Sequence, residues 1–241
     1  MRRPLIAVLA LFTLGLPGGV TAQEGPQVLT SDNVEFVGTI PVAAAASSIQ
    51  FASDAPIAYI STFRGLEVWD ITNPALPLPL GRAALGGWQN EAMSLGERPN
   101  GDRFVLFAQN TAVLTQADAV YGRRVTVVEV TDPRNPVVHG TVTTPTRTHT
   151  ASCVNKECTF AYTDGRTQGR ISVIDLRDFR NPKMASIPEL TTPVAQGHDQ
   201  DVDEAGILWH VGGQGSVAMD VTDPERPRLL NSTTQAGATP P

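Results

Sequence analysis

The hydrophobic pattern of this chain consists of short β-branched runs, each ending in an acid and a proline corner. Gly65-Leu66-Glu67-Val68-Trp69-Asp70 leads into Asn73-Pro74 and Pro77. Val125-Thr126-Val127-Val128-Glu129 leads into Asp132-Pro133 and Pro136, and Ile171-Ser172-Val173-Ile174-Asp175 into Asp178 and Pro182. The last copy, Val217-Ala218-Met219-Asp220, leads into Asp223-Pro224 and Pro227. The acids Asp70, Glu129, Asp175 and Asp220 stand 59, 46 and 45 residues apart. A period in the mid-forties marks a repeat architecture.

Each repeat reads as four strands. A short strand such as Ser48-Ile49-Gln50-Phe51 meets a tight turn, then a second strand such as Ile57-Ala58-Tyr59-Ile60-Ser61. The phrase itself is the third strand, and a proline turn leads to a fourth, such as Val137 to Val142. The acid of the phrase suits a turn, because a short carboxylate accepts hydrogen bonds from the N–H groups just ahead. Proline pre-sets φ for the corner. Asp70, Asp175 and Asp220 therefore read as turn formers rather than chemistry. The second repeat carries an insertion, placed at residues 108–124, which explains its longer spacing.

Four short antiparallel strands per repeat, without helical periodicity, predict an all-β β-propeller of four-stranded antiparallel blades. Triplets of first to third strands fall near residues 46–71, 90–131, 149–177 and 198–222. Fourth strands fall near 34–40, 78–84, 137–143, 183–190 and 228–234. Four visible blades against five outer strands predict an incomplete ring, with Val34-Glu35-Phe36-Val37-Gly38-Thr39-Ile40 as the surplus strand.

Phrase and setting together resemble the LVIVD-repeat family of bacterial exported β-propeller proteins. Ile171-Ser172-Val173-Ile174-Asp175 matches the strand that gives those repeats their name, and Val125 to Glu129 matches less closely. The blade-opening His-Asp of the family is matched by His198-Asp199 and, with Thr for Asp, by His149-Thr150. The resemblance covers residues 33–235. It implies a propeller and no particular activity. Trp69-Asp70 is not repeated in the other copies, so it does not mark WD-type repeats.

Residues 1–22 read as a signal peptide: Arg2 and Arg3, an apolar core from Leu5 to Leu16, and Val20-Thr21-Ala22 at the cleavage site. Residues 23–32 follow as a flexible lead-in, 33–235 as the propeller and 236–241 as a disordered tail. The expected location is secreted or periplasmic, with no transmembrane segment in the mature chain. Loss of Arg2 and Arg3 takes the formal charge from −6 to −8. An acidic exported domain argues against nucleic acid, which calls for a basic face. A protein or a cell-surface glycan remains as the partner class.

In an exported chain the two cysteines, Cys153 and Cys158, read first as a disulfide across a hairpin tip. The rival is a metal site that would include His149. First strands of propeller blades line the channel, which places Ser47, Asn90-Glu91, His149-Thr150 and His198-Asp199 at its rim. Glu91, His149, His198 and Asp199 are the candidate site: neutral imidazoles with a carboxylate can bind a divalent metal or act as acid and base. The sequence requires no cofactor. Asp199, Asp201 and Asp203 alternate as calcium ligands do, but Glu204 and His210 stand where an EF-hand loop needs Gly and an acid. No phosphate loop, nucleophile elbow or dinucleotide fingerprint occurs. The leading expectation is a non-enzymatic binding scaffold. The alternatives are an enzyme or metal-binding protein with a channel site, and a truncated gene product without independent function.

Overall fold

The computed structural model describes residues 31–85, 89–109, 123–164, 169–187, 190–194 and 196–234, with side chains of the second segment from Met93 onward. The expected signal peptide, most of the lead-in, the core of the expected insertion and the tail lie outside these residues. So does the Glu91 side chain. The chain divides into two compact units, residues 1–37 and 38–241. In the first, Ser31 and Val34 form an isolated antiparallel bridge, and the Ser31 hydroxyl donates to Asn33 Oδ1 at 2.7 Å.

The second unit holds four four-stranded antiparallel sheets. The first contains β1 (Ala46–Phe51), β2 (Ile57–Thr62), β3 (Gly65–Asp70) and β4 (Leu78–Ala84). The second contains β5 (Gln89–Glu97), β6 (Arg103–Gln109), β7 (Arg124–Glu129) and β8 (Val137–Thr143). The third is built from β9 (Ala151–Cys153), β10 (Phe160–Thr163), β12 (Val173–Asp175) and β13 (Lys183–Met184). Beside it, β11 (Arg170–Ile171) pairs with β14 (Leu190–Thr191). The fourth contains β15 (Gly197–Val202), β16 (Ile207–Gly212), β17 (Gly215–Asp220) and β18 (Arg228–Thr234). No helix among the described residues is long and apolar enough to cross a membrane. No sheet closes a ring among them.

The expected triplets become three consecutive strands in the first, second and fourth sheets and β9, β10 and β12 in the third; in register Ile57, Phe104, Phe160 and Ile207 face the acids Asp70, Glu129, Asp175 and Asp220. Alternation then sends successive residues of each second strand to opposite neighbours. Tyr59 and Val68 of the first sheet meet Val105, Phe107 and Val128 of the second. From the second sheet's other face, Phe104, Leu106 and Val127 meet Ala161 and Ile174 of the third. Phe160, Tyr162 and Val173 then meet Leu208, Val217 and Met219 of the fourth. Burial on both faces is why residues 104–108 are apolar without interruption, as in any strand with no solvent side. Each such side chain contributes about 1.5–3 kcal/mol of burial.

The phrase turns form as the sequence predicts. Asp70 Oδ1 accepts from Thr72 N–H at 2.8 Å, Asp175 Oδ1 from Arg177 N–H at 3.1 Å and Asp220 Oδ1 from Thr222 N–H at 3.0 Å. The Thr222 hydroxyl and N–H, with the Arg228 guanidinium, hold the Asp220 carboxyl down to about 2. Glu129 departs from the pattern. Its longer side chain reaches past the turn, accepting from the Thr131 hydroxyl at 3.0 Å and pairing with His139 and with Arg180 of the third sheet's turn. Arg180 also lies 4.5 Å over the Phe179 ring, so this corner joins two sheets.

Two expectations need correction. Residues 35–42 form no strand, although 34–40 was expected to be one. No strand among the described residues pairs with them, and an isolated strand has no ladder to hold it. The third repeat is also less regular than its sequence suggests. The Ile171 to Asp175 run breaks at Ser172, and its fourth strand splits into β13 and β14. The sequence carries Pro188 there, which has no N–H to give a ladder.

Cys153 and Cys158 form the disulfide, with Cα atoms 4.7 Å apart. The bridge closes the tip between β9 and β10. Its loop packs on the second sheet, where Glu97 N–H donates to the Lys156 carbonyl at 2.9 Å. The cysteines are therefore not available as thiolate ligands.

Candidate functional site

First strands of successive sheets lie side by side: β1 by β5, β5 by β9 and β9 by β15. Polar side chains tie each to the next. Gln50 Nε2 donates to the Met93 carbonyl at 2.7 Å, and Met93 N–H donates to Ser48 Oγ at 3.1 Å. Cys153 N–H donates to Ser94 Oγ at 3.3 Å, and Ser152 Oγ donates to the Gln200 carbonyl at 2.7 Å.

The same end of these strands is irregular in three sheets. Register shifts fall between Ala46 and Ser48, Gln89 and Met93, and Gly197 and Asp199. These irregularities contain Ser47, Asn90-Glu91 and His198, the positions the sequence marks as rim residues. Bulges re-aim side chains and concentrate beside functional sites. Gln196, just ahead of the last one, has φ 55°, a left-handed conformation that non-glycine residues rarely adopt. Local strain of this kind gathers at binding sites and is held there by the surrounding structure.

In the third sheet the strand opening is organised by a buried carboxylate. Asp164 Oδ1 accepts from the backbone N–H groups of His149 and Thr150, the latter at 2.8 Å. Asp164 N–H returns a bond to the Thr150 carbonyl at 3.2 Å. This clamp fixes His149, which is buried, against His198, which is exposed. Their ring centroids lie 4.9 Å apart with planes inclined at 57°. Two of the candidate residues, 49 positions apart in sequence, thus come into contact across adjacent sheets. One ring is wet and one is sheltered, so the pair can offer hydrogen-bond donors and acceptors to a ligand from two strands at once.

Asp199 does not complete a ligand set. It pairs across β15 and β16 with Val211, and its Oδ1 accepts from Gln200 N–H at 2.8 Å. Among the described residues, no three His, Cys, Asp or Glu side chains are grouped to hold a metal ion. Of Glu91, only its place in β5 is described. Asp203, in the former calcium run, closes the β15–β16 turn: its Oδ1 accepts from Ala205 and Ile207 N–H at 3.0 and 2.9 Å.

Two residues escaped the sequence reading. Asp164 follows the second strand and precedes Gly165, a turn signal that says nothing of burial. His210 is fully buried in β16, directly opposite Gln200 and facing the third sheet. Neither ring nitrogen finds a partner among the described residues. Burial pushes its pKa down to about 4, against the opposing influence of the Asp199 charge. Its equivalents in the other sheets are Ile60, Phe107 and Thr163, and only alignment by register could have singled it out.

No protein-family model and no curated protein matches the chain. Several solved structures share its arrangement of sheets. A protein of unknown function from Desulfotomaculum acetoxidans has a TM-score of 0.51 at 10% identity, over 86% of this chain and 75% of that one. Hydrazine synthase from Kuenenia stuttgartiensis has a TM-score of 0.55 at 14% identity, over 86% of this chain and 54% of that one. A protein from Lactobacillus plantarum has a TM-score of 0.57 at 10% identity, over 78% of this chain and 57% of that one. The chain therefore spans little more than half the length of the last two. At these identities the likeness concerns the fold alone.

Proposed function

We propose that this protein is an exported β-propeller of the LVIVD-repeat kind, and that it acts as a non-enzymatic scaffold binding a protein or a cell-surface glycan. The repeated four-stranded sheets, with first strands side by side, support the propeller reading. The disulfide supports an oxidising compartment outside the cytoplasm. The observation that carries the binding role is the His149–His198 contact, set at the irregular openings of first strands from two adjacent sheets. A propeller gathers such openings around its axis and presents them as one face.

The test compares the full chain with a His149→Ala/His198→Ala double variant on an array of bacterial envelope polysaccharides and against immobilised envelope proteins. Binding by the wild type and at least tenfold weaker binding by the folded double variant are expected. Equal binding by both would remove the His face from the account. The second reading, a channel site for a divalent cation, is favoured by the same imidazole pair. It is tested by zinc titration: a stoichiometric site lost in the double variant would replace the scaffold reading.

A further inference from the structure

The fourth strands of the first two sheets share a packing device. A Cβ on Gly81 of β4 would stand 2.5 Å from the Pro133 carbonyl oxygen, and one on Gly140 of β8 would stand 2.9 Å from Pro182 Cδ. In both cases a fourth-strand glycine lies against the phrase turn of the next sheet. Two residues on, Ala83 packs with Val105 and Phe107, and Val142 packs with Ala161.

Residues 38–42 repeat this arrangement on the first sheet. A Cβ on Gly38 would stand 3.1 Å from the Pro74 carbonyl oxygen and 3.3 Å from Ala75 Cα. Ile40 and Val42, two and four residues on, pack against Ala58, Ile60 and Trp69. Ala83 and Leu85 keep the same spacing after Gly81. The segment thus sits where the fourth strand of a preceding sheet belongs, yet no described strand pairs with it.

The first strand beside it is also uncovered. Ile49, opposite Ile60, is 42% exposed and Phe51 is 56% exposed. Met93 and Gln200, at the position of Ile49 in the second and fourth sheets, are 2% and 5% exposed. What covers those two is in each case the preceding sheet.

We infer that residues 38–42 are a docking strand: the outer strand of a further sheet whose other three strands come from another copy of the same repeat, outside the described residues. The three sheet-to-sheet interfaces within the chain define that copy's chemistry. Its third strand pairs with residues 38–42. Its second strand presents a large side chain at the position of Tyr59, Leu106 and Tyr162. Its first strand offers a hydroxyl or amide to the Ile49 backbone, as Ser48 and Gln50 do to Met93. The inference rests on sheet geometry and stands whether or not the His149–His198 end binds a ligand.

Two probes test it, both containing residues 46–71, which carry Ser48, Gln50, Tyr59 and Val68. The first is a synthetic peptide of that sequence added to the full chain. The second is the full chain with a copy of residues 46–77 inserted between Val34 and Glu35, which reproduces the connection from β3 to β4. Hydrogen exchange read by mass spectrometry over residues 38–45 is the measurement. Rapid exchange in the chain alone is expected, slowing roughly tenfold or more in the inserted chain, where the probe need not fold in trans. A Tyr59→Asp change in the inserted copy should abolish the effect. Unchanged exchange in both the peptide mixture and the inserted chain would overturn the inference. So would protection of these amides in the chain alone, whether as a monomer or as a dimer by light scattering.

Discussion

Acid should weaken this fold through one buried histidine, and replacing His210 by Phe should remove that weakness. His210 lies where the second sheet has Phe107, so a phenyl ring is a side chain the repeat already accepts. An unfolded histidine titrates near 6.5, whereas burial holds folded His210 down to about 4. Above pH 6.5 neither state carries the proton and the difference contributes nothing. As pH falls below 6.5 the unfolded chain binds a proton that the folded chain refuses, so stability is lost until pH 4, where the folded state also protonates. Over that window the loss approaches about 3 kcal/mol, and at pH 4.5 it is about 2.5 kcal/mol. This is a large share of the 5–15 kcal/mol typical of a domain. The assay is urea unfolding followed by tryptophan fluorescence at pH 7 and pH 4.5, with matched m-values required for the comparison. Other titrating groups are common to both proteins and cancel. The wild type should lose about 2.5 kcal/mol more than His210→Phe. An equal loss in the two would refute the reasoning, because His210 would then accept a proton without leaving its site.

Two further outcomes follow from the packing. Reducing the Cys153–Cys158 bridge should cost about 2 kcal/mol, since the loop it closes is short, and should lower the melting temperature by a few degrees in a scan with and without a phosphine reductant. Gly81→Ala should destabilise by about 1–3 kcal/mol, because the new Cβ meets backbone of the Pro133-Arg134 turn rather than a movable side chain; a denaturation midpoint equal to wild type would contradict this.

The strands were legible in the sequence because period-two alternation, proline corners and the repeat spacing all point the same way. The turn role of Asp70, Asp175 and Asp220 was legible for the same reason: a short carboxylate two residues ahead of an N–H has few other uses. Glu129 was not, since one extra methylene carries its carboxylate to another sheet's Arg180, a partner 51 residues away. The convergence of His149 and His198 followed from their equivalent places in successive repeats. The Asp164 clamp that makes it did not, because burial of a carboxylate depends on what the neighbouring sheet covers. The strand expected at 34–40 does not form, because pairing needs a neighbour that no single segment encodes.

The two-sided burial of the middle sheets sets how the molecule comes apart. Among the described residues, the buried clusters join each sheet to the one before and the one after, so strength adds up link by link. The second and third sheets are gripped on both sides. The fourth leaves Trp209 53% exposed where Tyr59, Leu106 and Tyr162 are fully covered. Loosening therefore starts at the outermost layers and travels inward, and the last residues to reach water are the unbroken apolar run of β6.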